Sequence, residues 1–168
     1  MEKYLFGNRE VFAIELYNIY KYKDYIYGKI FYWIQGTKLG KNEECIISDA
    51  VHSLKWMIFD NGNRSHELFY TLNKEKVFFY LSGRAFFSDS GEIQEKIQEK
   101  ANLESWARFN ITIDLVTLND IDIFLIEGDK YSRIVYSFEN EEINEMYIQN
   151  GYVEKVLFEV DSLLNEIY

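Results

Sequence analysis

The residues of this 168-residue chain with the types to do chemistry are two histidines, one cysteine and several acidic pairs. His52 and His66 stand thirteen intervening residues apart, and neither has a second metal-ligand residue at useful spacing on one element. Both read as structural or surface histidines. No Gly-rich phosphate loop precedes a Lys-Ser/Thr, and neither a Gly-x-Ser-x-Gly elbow nor a His-Glu-x-x-His pattern is present. Cys45 follows Glu43-Glu44, whose charges raise a thiol pKa instead of activating it. Asp120/Asp122 and Glu141/Glu142/Glu145 have the chemistry to hold a divalent cation or to form an acid/base pair. Turn chemistry accounts for Asp120 and Asp122 equally well, and the glutamates read as a solvated face. The expectation is no catalytic residue, no metal site and no cofactor.

Composition narrows the class. A chain of this length suits one domain over residues 1–168, and 48% hydrophobic residues suffice for a core. The apolar runs at 121–126 and 76–81 fall far short of the roughly 20 residues a membrane helix needs. Met1-Glu2-Lys3-Tyr4 does not open a signal peptide, and one cysteine makes neither an internal disulfide nor a cysteine-based zinc site. These features predict a soluble protein of a reducing compartment. The net charge of −10 opposes direct nucleic-acid binding. Its distribution is uneven: residues 1–60 hold eight basic and eight acidic side chains and residues 61–100 six and six, whereas residues 101–168 hold four against fourteen. The entire excess therefore lies in the last two fifths, a pattern that suits either plain solubility or a basic partner.

The elements follow from periodicity. Phe12, Ile14 and Leu16 alternate with Ala13, Glu15 and Tyr17, which predicts a strand over 11–20. A second strand is expected over 25–34 and a short third element over 37–39, making an N-terminal hairpin or small meander. Ser48 is the expected N-cap of a helix carrying Val51, Leu54 and Ile58. Asn73 is the expected cap of a second helix over 74–81, although Val77-Phe78-Phe79-Tyr80 also suits a strand. Ile93 and Ile97 among Glu and Lys predict a short solvated helix over 92–101. A C-terminal meander is expected from strands at 109–115, 121–126 and 131–138. After Gly151, the residues Val153, Val156, Leu157, Val160, Leu163, Leu164 and Ile167 form one stripe at helical period. The predicted class is α+β, with antiparallel strands, interspersed helices and a C-terminal amphipathic helix packed on a sheet.

Phe12-Ala13-Ile14-Glu15 and the run Gly28-Lys29-Ile30-Phe31-Tyr32-Trp33-Ile34-Gln35-Gly36-Thr37-Lys38-Leu39-Gly40 have a further significance. With the aromatic-Trp-Ile-x-Gly core, the short helix near Ser53-Leu54, the Arg133-Ile134-Val135 strand and the closing helix after Gly151, the chain resembles the immunity protein 42 family of bacterial polymorphic toxin systems. Phe31 and Trp33 are expected in the core, and Gly28, Gly36 and Gly40 at turns or bulges. The resemblance implies a non-enzymatic cytoplasmic protein that binds and neutralises a cognate toxin domain. A basic toxin, such as a nuclease, would suit the acidic last third. The contact residues expected on that ground are Asp120, Asp122, Glu127, Asp129, Glu139, Glu141, Glu142, Glu145 and Tyr147. A binding or scaffold module without a toxin partner, or an enzyme of unrecognised type, are the alternative readings.

Overall fold

The computed structural model describes residues 2–82, 106–138 and 142–167. The helix expected over 92–101 lies outside them. The first sheet has five strands: β1 (Lys3–Asn8), β2 (Phe12–Tyr22), β3 (Tyr25–Ile34) and β4 (Thr37–Leu39) in that order, with β5 (Cys45–Ile46) also pairing to β3. All pairings are antiparallel. β2, β3 and β4 match the sequence expectation, whereas β1 was not expected. Its three consecutive apolar residues, Tyr4, Leu5 and Phe6, show no alternation, and only Tyr4 and Phe6 face inward, so the local pattern is weak. Gln35 (φ 50°) and Gly36 (φ 80°) form the two-residue turn between β3 and β4, a conformation that matches the twist of the strands it joins. Gly28 has a different reason: a Cβ there would lie 2.5 Å from Cδ1 of Ile19.

Alternation along β2 and β3 sends Phe12, Ile14, Leu16, Ile30, Tyr32 and Ile34 into the main core. Phe31 and Trp33 therefore lie on the opposite face. Phe31 is buried and Trp33 partly buried there, outside the main core, which corrects their expected place. The same face holds Glu15, buried among Arg9 (2.5 Å), Lys38 (3.4 Å) and Lys3 (3.5 Å) and accepting from Trp33 Nε1 at 3.1 Å. Burial pushes this carboxyl up, but Lys38, Lys3 and Arg9 outweigh it and hold the group below its ordinary value.

The second sheet is β6 (Ile121–Ile126), β7 (Tyr131–Phe138) and β8 (Asn144–Gln149), antiparallel in that order. β6 and β7 stand where expected. The third strand of the meander is β8, not 109–115. That segment runs through a 3-10 turn (Trp106–Phe109) and then meets β6 at a single bridge, Asn110 to Phe124. Side chains take the bonds that would have extended a ladder. Thr112 Oγ1 accepts from Ile123 N at 2.9 Å, while the Tyr32 hydroxyl donates to Ile111 O (2.7 Å) and accepts from Ile113 N (3.0 Å).

Four α-helices occur among the described residues: α1 (Ala50–Phe59), α2 (Glu67–Thr71), α3 (Lys74–Leu81) and α4 (Tyr152–Ile167). Asn73 caps α3 as expected, accepting from Lys76 N at 2.9 Å. Ser48 does not cap α1; it lies in a preceding 3-10 turn, Ile47–Asp49, and its hydroxyl accepts from Ile26 N at 3.3 Å. α4 buries Val153, Val156, Leu157, Val160 and Leu164 against α1 and strands β1 and β2, each worth about 1.5–3 kcal/mol of burial. The inner faces of both sheets meet these two helices in one core. On the other side of β6 and β7, Phe124, Ile126 and Val135 pack with Phe69, Val77, Phe78, Tyr80 and Phe109 in a second core. The second sheet is thus covered on both faces, which is why β6 reads as a nearly continuous apolar run.

Candidate functional site

The described members of the acidic set expected to meet a partner lie around the second sheet, and the fold assigns them different tasks. Glu127, at the end of β6, turns inward. Its Oε1 accepts from Gly62 N (3.0 Å), its Oε2 from Arg64 N (3.2 Å), and Arg64 Nη1 donates to Oε1 at 3.4 Å. Arg64 is fully buried, donates to the carbonyls of Arg108 and Met57, and has Glu154 3.9 Å away on α4. Burial, chiefly, raises the Glu154 carboxyl above its ordinary value, with the nearby Glu127 charge adding to the rise against the pull of Arg64. This cluster holds the loop after α1 to the β6–β7 turn and the start of α4.

Glu145 has a comparable role on β8. Its Oε2 accepts from Nε (2.9 Å) and Nη2 (2.6 Å) of Arg133, a buried residue on β7. Arg133 Nη1 donates to the carbonyls of Phe69 (2.9 Å), Tyr70 (3.2 Å) and Leu72 (2.6 Å), satisfying the C-terminal end of α2. Asp120 forms an exposed pair with Lys41 at 2.6 Å, and Glu142 lies 3.9 Å from Lys74. Asp122 is half-buried, while Asp129 stands exposed at the β6–β7 turn. Tyr147 is 53% exposed and meets the edge of the Tyr70 ring, 5.9 Å between centroids. Glu139 and Glu141 lie outside the described residues.

The fold therefore separates Asp120 and Asp122 from Glu127 and Asp129 by the length of β6, about 17 Å. It brings Asp129, Glu145 and Tyr147 to one side of the sheet with Tyr131, which is 55% exposed. Tyr131 was missed in the sequence, although it precedes Arg133 by two positions on the same strand face. A second exposed area carries Trp56 (56%) and Phe59 (71%) on α1, beside a groove of about 500 Å³ lined by His52, Trp56, Arg108 and Asn110.

The two histidines and the cysteine are engaged in structure. His52 accepts from Trp56 Nε1 at 3.0 Å, and His66 caps α2, its Nδ1 accepting from Phe69 N at 3.2 Å. Cys45 is buried, and burial, then Glu44 and Asp49, push its thiol up. Among the described residues no group of three His, Cys, Asp or Glu is placed to hold a metal ion, and no helix is long and apolar enough to cross a membrane.

Two antiparallel sheets packed with helices in one core define an α+β protein. The chain belongs to the immunity protein 42 family, which matches residues 1–162. It is an immunity protein, and its function is to neutralise a cognate toxin. Its structure is similar to the crystal structure of CdiI from Burkholderia dolosa AUO158, with a TM-score of 0.71 at 20% sequence identity. The likeness covers 95% of this chain and 99% of the other, and at that identity it concerns the fold. No curated protein matches the chain in sequence.

Proposed function

We propose that the acidic side of the second sheet covers a basic, substrate-gripping surface of the toxin and excludes its substrate, acting in the cytoplasm and without chemistry on the toxin. The observation that supports this is the acidic balance of residues 101–168, four basic side chains against fourteen acidic. Arg133 is buried within the fold, whereas Asp129 and Lys130 at the β6–β7 turn, Glu142 ahead of β8 and Tyr147 face solvent. An acidic surface speeds encounter with a basic one and disfavours wrong partners, and a buried tyrosine supplies anchoring area. Asp120 and Asp122 extend the acidic rim at the far end of β6. Glu139 and Glu141 belong to the same set by sequence. A toxin that acts on nucleic acid is the partner class this surface suits, because such enzymes are basic where they hold phosphate.

The test pairs growth rescue with binding. The toxin candidate is the C-terminal domain encoded immediately upstream of this gene, expressed with and without the immunity protein. The purified pair is titrated at two salt concentrations. Rescue, equimolar inhibition with the toxin recovered intact, and tight binding weakened by salt are expected. Asp129→Lys with Glu142→Lys should weaken binding at low salt without loss of folding. Glu145 is unsuited to this reversal because it neutralises Arg133. Rescue with binding insensitive to salt and to both reversals would move the interface elsewhere.

A further inference from the structure

β8 is an edge strand that lacks the usual protection against pairing. Among the described residues its one ladder partner is β7. The bond from Asn150 N to Lys130 O sets the phase of that ladder. Counting back by two, Ile148, Met146 and Asn144 exchange bonds with Ser132, Ile134 and Tyr136. The amides and carbonyls of Glu145, Tyr147 and Gln149 therefore point away from the sheet. Natural edges are usually guarded by lysine, proline, a bulge or a covering element. The six residues of β8 contain no lysine or proline, their register with β7 is continuous, and Glu145, Tyr147 and Gln149 are exposed.

We infer that this edge takes an extended, basic segment of the toxin as an added strand, an inference that rests on the immunity reading above. Main-chain bonds to Glu145, Tyr147 and Gln149 would supply the pairing, and side chains on alternate positions would supply selection. Arg133 uses Oε2 of Glu145 alone, which leaves Oε1 for a lysine or arginine two positions from a residue packed on the Tyr147 ring. An acidic strand would find no cation at Glu145, whose charge Arg133 already balances, and only Lys130 beside Asp129 at the adjoining turn. The other sheet offers a contrast: its edge strand β1 carries Lys3 on the exposed face and Gly7 near its end. The Oε1 of Glu145, without a bond among the described residues, thus directs a segment carrying a lysine or arginine to β8.

Hydrogen exchange of the full chain, followed by NMR with and without the upstream-encoded toxin domain, tests this. In the free protein the amides of Met146 and Ile148 should be protected and those of Glu145, Tyr147 and Gln149 should exchange freely. All three should become protected in the complex. Tyr147→Pro deletes an outward amide without removing a bond to β7, so it should weaken toxin binding about tenfold or more, beyond the effect of Tyr147→Ala. Binding by the wild type with these amides unprotected, or full-strength binding by folded Tyr147→Pro, would overturn the edge inference and leave the immunity reading standing. A wild-type protein that neither binds nor rescues would remove both. Protection that rises with protein concentration in the absence of toxin would assign the edge to a second copy of this chain and overturn the inference.

Discussion

Arg64 and Glu127, sixty-three positions apart, lie 3.4 Å from each other with the arginine wholly out of solvent. Glu127 also accepts the backbone amides of Gly62 and Arg64, so one carboxylate both closes a turn and neutralises the cation behind it. Removing one member of a buried pair leaves the other charge uncompensated, at a cost of about 3–5 kcal/mol. Glu127→Ala should therefore lower the unfolding free energy by about that amount, measured by urea denaturation. A loss below about 1 kcal/mol would show that the surroundings absorb the Arg64 charge.

The same cluster predicts a pH dependence. Burial raises the Glu154 carboxyl, so the folded state holds this proton more tightly than the unfolded chain does. The contribution to stability is full below the ordinary value of 4.5 and is lost as pH rises through the folded value. Glu154→Gln removes this loss. Denaturation between pH 4.5 and 7.5 should show the wild type losing stability relative to the variant, and parallel curves would count against the shift.

Glu15 has the opposite sign. Burial disfavours its charge, but Lys38, Lys3 and Arg9 outweigh burial and depress the carboxyl. Its contribution is present above 4.5 and is lost as pH falls through the folded value. Glu15→Ala should cost about 3 kcal/mol at neutral pH by leaving three cations around an empty site. The difference from the wild type should shrink on acidification, and a constant difference would contradict the pairing.

Arg133 and Glu145 contribute unequally although they touch. Arg133 is buried and satisfies three carbonyls at the end of α2, whereas the Glu145 side chain is 36% exposed. Arg133→Ala should cost about 3–5 kcal/mol, and Glu145→Gln less, about 1.5–3 kcal/mol, because the amide oxygen still accepts from the buried guanidinium but no longer neutralises it. Equal losses in thermal denaturation would place the Glu145 contact in the interior class instead.

The α3 cap offers a local test. Asn73→Ala removes the acceptor of Lys76 N and should cost about 1 kcal/mol. A loss of helix content confined to the region around α3 should accompany it, because Val77 and Phe78 are what that helix presses into the second core.

Legibility in the sequence followed the range of the interactions. Period-two alternation through Phe12, Ile14 and Leu16, the turn at Gln35-Gly36, the cap at Asn73 and the stripe from Val153 to Ile167 are local patterns, and each stands where it was expected. The strand expected over 109–115 was misread because its apolar residues are buried in the cores while the Tyr32 and Thr112 hydroxyls, not a ladder, take the backbone bonds. β8 escaped notice because Glu145 read with Glu141 and Glu142 as a solvated face, although Met146 and Ile148 already alternated with Glu145 and Tyr147.

The sequence alone determined the α+β class, the concentration of negative charge in the last two fifths and, through its resemblance, the immunity family. Those properties depend on residue type and near-neighbour spacing. Only the tertiary structure decided which carboxylates are committed to the fold and which face solvent. Glu127 is bound by an arginine sixty-three positions away and Glu145 by one on the neighbouring strand, whereas Asp129 and Tyr147 are exposed beside them. The physical reason is that a buried cation must find its counter-ion wherever the chain crossing brings one. That pairing depends on how the sheets and helices pack, not on the residues adjacent in the chain.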